Sequence, residues 1–176
     1  LARTHRDLHS FPTRRSSNRF VYEKGVTPAY HWFDMTVDRY LLGDPIVEDG
    51  VTDLNLPRGD RKTPGAKIWP FKVHLAKQPY DWGTKRILPP VTAGEGGYWR
   101  EFDWPKAMAL GAKNVGMTFS GEVGFAQTRM YWPLSHMVLP KEQALRCADC
   151  HAEGGRMDWA ALGYDADPMS SGGMVE

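Results

Sequence analysis

The chain has 176 residues, enough for one domain, with a net charge of +1, 18 Gly, 13 Pro and seven each of Trp, Tyr and Phe. This near-neutral balance implies no preference for nucleic acid or an acidic membrane. No apolar run approaches the roughly 18 residues of a membrane span, and the aromatic content excludes a disordered chain. Aromatics combined with Pro and Gly instead predict irregular backbone wrapped around something flat and apolar.

The first 19 residues do not match the remainder. Arg3, Arg6, Arg14, Arg15 and Arg19 stand against one acid, Asp7, and no apolar signal-peptide core lies between Leu1 and Phe20. The stretch Leu8 to Ser17 resembles the translated read-through of a sequencing adapter; a natural basic tail is the competing reading. Two segments are therefore expected: residues 1–19 as a non-native or disordered tail, which carries His5 and His9, and residues 20–176 as the functional part.

Within the second segment, Val37 to Asp44 reads as a short helix closed by Gly43, and Pro45 to Lys67 as a long polar surface loop. Trp69, Phe71 and Val73 alternate, which predicts a short extended piece ending near His74. Tyr80 to Trp99 reads as loop. Phe102 to Gly111 is expected to be helical, with Asp103 as N-cap and Pro105 in the first turn. Gly116 to Thr128 looks Gly-rich and irregular. Pro140 to Arg146 reads as a helix running into the two cysteines, with Glu142 and Arg146 spaced i,i+4, and the residues beyond Tyr164 as a frayed tail.

Cys147-Ala148-Asp149-Cys150-His151 is C-x-x-C-H, the attachment signature of a c-type haem. Two thiols must add to two vinyl groups of one porphyrin, and a spacing of three places Cys147 and Cys150 on one side of a helical turn. His151 follows directly and serves as the proximal iron ligand. Two other chemistries compete. A zinc-stabilised structural module would need two histidines beside these cysteines, since the chain has no further Cys. A thiol-redox protein would use the pair as a dithiol, which is expected at a helix N-terminus; a helix ending in the motif argues against it.

A c-type iron has a sixth position. The candidates are His136, His74, His31 and the eight methionines. Met would raise the potential and a second His would lower it. Met157 stands too close to His151 to reach the opposite ring face, and Met169 lies in the expected tail. His136 and His74 sit in aromatic, Pro-rich segments and are the expected metal ligands besides His151. His74 is favoured slightly as partner of His151, because His136 stands on the approach side of the motif.

Several short motifs follow one another in order: Phe71-Lys72-Val73-His74 with Lys77-Gln78-Pro79-Tyr80-Asp81; Gly97-Tyr98-Trp99; Phe102-Asp103-Trp104; Ser120-Gly121-Glu122; Tyr131-Trp132-Pro133 with His136-Met137-Val138; the haem motif itself; and Gly155-Arg156-Met157-Asp158-Trp159 with Leu162-Gly163-Tyr164. Together with Arg39 to Asp44 they resemble the C-terminal part of the octahaem tetrathionate reductase-like cytochromes c. The resemblance implies a fragment of a periplasmic multihaem oxidoreductase that reduces small sulfur or nitrogen oxyanions. Cys147, Cys150 and His151 would carry its last haem, and His74 and His136 match histidines that act as distal ligands. The family's catalytic haem has no counterpart in this chain, so no catalytic residue carries over. The expected fold is mainly α with extensive irregular loops, a multihaem cytochrome c C-terminal segment. The expected partners are the other haems and domains of the intact cytochrome and redox proteins. Haem attachment to this motif takes place outside the bacterial cytoplasm, so an upstream export signal is also expected.

Overall fold

Aromatic and β-branched residues alternating with polar ones draw more of this chain into strands than into helices. The computed structural model describes residues 25–135 and 140–170. The adapter-like tail and His136 lie outside the described residues. Among the described residues six strands form one mixed sheet: β1 Ala29–Phe33, β2 Val37–Arg39, β3 Val51–Pro57, β4 Lys67–Asp81, β5 Arg86–Ile87 and β6 Val123–Pro133. The helices are short: α1 Tyr98–Glu101, α2 Trp104–Asn114 and α3 Cys147–His151. Among the described residues strand outweighs helix, 31% against 16%, which corrects the expectation of a mainly α chain with extensive irregular loops.

The sheet order is β1-β4-β6-β3-β2, with β5 paired to β4. The long ladder is antiparallel and runs from Phe71 opposite Pro133 to Asp81 opposite Val123. β3 and β6 pair in parallel, and the register shifts between Asp53 and Asn55. At that irregularity the Asn55 amide replaces the missing backbone partners: its Nδ2 donates to the Tyr131 carbonyl at 2.8 Å, and its Oδ1 accepts from the Tyr131 N–H at 2.6 Å. Beside it Arg129 clamps Asp53 through two bonds of 2.6 and 2.9 Å.

Other local expectations are also corrected. Val37 to Asp44 is not helical; Val37–Arg39 pairs with β3, and Gly43, at φ 100°, serves a turn. The polar stretch 45–67 contains β3, and the Gly-rich stretch 116–128 leads into β6. The extended piece around Trp69 is real but runs for 15 residues. The α2 reading holds: Asp103 Oδ1 accepts from the Lys106 N–H at 2.9 Å, and Pro105 sits in the first turn, where it removes no helical bond.

The core lies in three clusters. Phe33, Phe71 and Tyr131 form the first, with Phe71 edge-on to both others at 5.3 and 6.1 Å. Ile46, Tyr80 and Ala126 form the second. In the third, Leu88, Met108 and Ala112 seat α2 against the start of β6. Gly111 allows that approach, because a Cβ there would lie 1.9 Å from the Pro89 carbonyl oxygen.

Asp81, buried at the end of β4, staples two loops. Its Oδ2 accepts from the Thr84 N–H (3.1 Å) and hydroxyl (2.6 Å). Its Oδ1 accepts from the Ser120 N–H (3.0 Å) and hydroxyl. Burial works to raise its pKa, but the Ser120 and Thr84 bonds more than offset that and hold the carboxyl below its usual value. Asp81→Asn leaves one acceptor oxygen facing two backbone N–H donors. It is expected to cost about 1–3 kcal/mol, read as a lower urea midpoint at pH 7. The stabilisation is complete above the ordinary Asp pKa of about 4 and is lost as pH falls through the depressed folded value, so the gap between wild type and variant should close in acid.

Candidate haem-attachment site

The cysteine motif forms its own helix. Pro140 to Arg146 does not run into it as one helix: a single 3-10 turn, Lys141–Gln143, is followed by extended backbone at Ala144 and Arg146. α3 then begins at Cys147. Asp149, inside the motif, caps it: its Oδ2 accepts from the Arg146 N–H at 2.7 Å, and its own N–H donates to the Arg146 carbonyl at 3.0 Å. This correction removes one sequence argument against a dithiol, because the cysteines stand at the start of a helix. The βαβ setting of such dithiols is absent among the described residues.

After His151 the chain turns back on the helix. Gly154 is left-handed at φ 73°, and the Arg156 N–H donates to the Asp149 carbonyl at 2.9 Å. Gly155 passes so near that a Cβ would lie 2.8 Å from the Cys150 carbonyl oxygen. The returning strip brings Trp159 onto the face of the His151 imidazole, 5.0 Å between centroids and 23° between planes. Asp167 completes the setting. Its Oδ1 lies 2.7 Å from His151 Nδ1, and because a carboxylate only accepts, Nδ1 is the donor and Nε2 is the nitrogen left to face a metal. Burial tends to raise the Asp167 pKa, while the bonds from His151 and from the Met169 N–H at 2.9 Å outweigh it and lower it.

Aromatic contacts seat this strip on the sheet. Trp159 meets Tyr164 edge-on at 5.6 Å, Tyr164 stacks on Trp32 of β1 at 6.4 Å, and Trp32 Nε1 donates to the Leu162 carbonyl at 2.9 Å. Arg61 lies over the Tyr164 ring at 4.7 Å, and Arg156 reaches the Tyr30 hydroxyl at 3.4 Å. A cleft of about 970 Å³ opens at this seam between His31, Trp32, Arg61, Lys62 and Tyr164.

The structure brings Cys147, Cys150 and His151 together on one five-residue helix, with both thiols unpaired. His74 is exposed on β4 beside Trp132, ring centroids 6.2 Å apart. By strand alternation it shares a sheet face with Trp32, the face on which the strip is seated. No contact joins His74 to His151. His31 points to the other face, edge-on to Tyr131 (4.8 Å) and Phe71 (5.9 Å). Burial, then nearby Arg129, lower its pKa, so it packs as a neutral ring. Among the described residues no group of three or more His, Cys, Asp or Glu side chains converges as a metal site, which gives the zinc reading no support there. Sequence reading missed Asp167 and the Trp159 stack. Asp167-Pro168-Met169-Ser170 does carry the signal of an Asx-type turn.

The family model for bacterial cytochrome c matches residues 5–154. The chain belongs to this family. An octahaem cytochrome c from Shewanella oneidensis has the same fold over 86% of this chain, with 49% identity and a TM-score of 0.81. The chain spans 36% of the length of that cytochrome. No curated protein matches. As a family member this cytochrome carries covalent haem c and works in haem-based electron transfer. The residues at α3 fit that group: two unpaired thiols stand within one turn, and an imidazole has its Nδ1 held by a carboxylate, which leaves Nε2 for the iron.

Trp32→Phe tests the seam. It keeps an aromatic ring but deletes the donor to Leu162, a loss of about 1 kcal/mol. The Leu162, Gly163 and Tyr164 amides are expected to exchange faster with solvent while β4 amides keep their rates, measured by hydrogen exchange.

Proposed function

We propose that this chain holds one haem through thioether bonds to Cys147 and Cys150, with His151 as proximal ligand, and serves as an electron-transfer segment of a multihaem oxidoreductase. The observation that carries the reading is the His151–Asp167 contact directly beside the two free thiols. Asp149 shapes the turn that presents both sulfurs, Trp159 and Asp167 fix the plane of the imidazole, and the Trp32–Tyr164 stack keeps the strip against the sheet. The haem supplies the one-electron change at its iron; the protein supplies attachment, orientation and an aromatic surround.

Family membership and the octahaem neighbour support a location outside the cytoplasm, periplasmic or extracellular, and we favour the periplasm. Among the described residues no helix is long and apolar enough to cross a membrane. The resemblance noted above supports reduction of small sulfur or nitrogen oxyanions by the whole protein, with further haems and redox proteins as partners. A thiol-redox function is the second reading, favoured by the position of the cysteines at the start of α3.

Production in a periplasm with haem-attachment machinery is expected to add one haem mass and give a c-type pyridine haemochrome spectrum. Replacing both Cys147 and Cys150 by Ser should abolish the added mass. A product of unmodified mass, with both thiols open to alkylation, would support the dithiol reading instead.

For the sixth ligand we keep His74, which lies on the sheet face that seats the strip. His74→Ala should leave the haem attached and convert a low-spin spectrum to high-spin. An unchanged low-spin spectrum would assign the position to another residue, with His136 the next to be replaced.

A further inference from the structure

Histidine ligands to metals depend on the group that holds their second nitrogen. A neutral acceptor orients the ring. A carboxylate orients it and also increases its basicity, which favours the higher oxidation state of the metal. In this chain the second nitrogen of His151 meets a carboxylate at 2.7 Å, from a residue 16 positions away. The pair is partly shielded, with side-chain exposures of 29% for His151 and 16% for Asp167, so water competes only in part for the bond.

The surrounding turn fixes the carboxylate. Asp167 Oδ1 also accepts from the Met169 N–H at 2.9 Å, and Ser170 Oγ donates to the Asp167 carbonyl at 2.7 Å. The Trp159 ring limits tilting of the imidazole from its face. Ring plane, tautomer and hydrogen-bond direction are thus set by residues of the same C-terminal strip.

Resting on the attachment reading above, we propose that Asp167 is a positioning and tuning residue for the iron ligand: its charge, delivered through His151, lowers the reduction potential of the attached haem. Asp167 acts on the iron through the imidazole. Loss of its charge weakens electron donation by the ring and favours the reduced haem.

The test uses the haem-loaded chain and three variants: Asp167→Asn, Asp167→Glu and Ser170→Ala. Asparagine keeps an acceptor for Nδ1 but carries no charge. Its ratio of reduced to oxidised haem at a fixed ambient potential is expected to rise about tenfold, about 59 mV for one electron. The iron–imidazole stretching frequency should fall with it. Asp167→Glu should restore much of both readouts. Ser170→Ala loosens the turn without removing the carboxylate and should leave the potential near wild type. A purely structural role for Asp167 predicts instead that Ser170→Ala and Asp167→Asn behave alike, or that neither moves potential or stretch; either result overturns the proposal. Should Asp167→Asn fail to fold, Asp167→Ser carries the test: a potential and stretch unchanged when the carboxylate charge is removed would equally refute it. Covalent haem mass, measured on every sample, separates failure of this tuning from failure of the attachment reading, since only the latter leaves wild type without haem.

Discussion

A helix of five residues cannot persist in water by itself, because nucleation fixes several residues for very few hydrogen bonds. The geometry of the cysteine motif therefore depends on contacts from outside it. Asp149 closes the first turn, and the Arg156 N–H draws the returning chain against the Asp149 carbonyl. The aromatic seam through Trp159, Tyr164 and Trp32 then ties the whole strip to β1. The sheet contributes no ligand through these contacts. It supplies the fixed surface on which the motif acquires a defined shape.

That division explains why the sheet is built so firmly at its centre. β4 and β6 pair over their full overlap, and Phe71 is wholly buried between Phe33 and Tyr131. At the irregularity between Asp53 and Asn55, Asn55 substitutes its side chain for backbone partners, and Arg129–Asp53 closes the adjacent position. Trp32 alternates with Phe33 along β1, so the strand that buries Phe33 in the core presents Trp32 to the C-terminal strip. Core and site share one strand and its period of two.

The sequence made the attachment motif legible because its chemistry requires neighbouring residues: two thiols and an imidazole at fixed spacing. The α2 helix was legible for a similar reason, since Asp103 and Pro105 are local signals. The sheet was not. Pro70 and Pro79 lie within β4, and proline lacks a ladder donor, so a 15-residue strand between two partners reads as a short piece. β3 is obscured by polar residues whose partners are distant, Asp53 to Arg129 and Asn55 to Tyr131. The helix expected through Pro140 to Arg146 had helical composition, yet the chain is extended at Ala144 and Arg146, which lets the cysteines open a turn of their own. Asp167 was hidden because its partner is 16 residues away and the intervening residues give no regular period.

The seam between Trp32 and Leu162 joins residues 130 positions apart, and the parallel ladder joins Val51 to Gln127. Contacts of such range form only after a large loss of chain entropy, and topologies rich in them fold slowly. β4 has no partner on its β6 side until the chain has been made through Pro133, and Trp32 of β1 has no strip to hold until Leu162 and Tyr164 exist. The residues that align His151, Trp159 and Asp167, follow every described strand in the chain, and the seam that seats them closes a loop of 130 positions. Both the long-range sheet pairing and the long loop to Leu162 must close before the surface behind the ligand is complete.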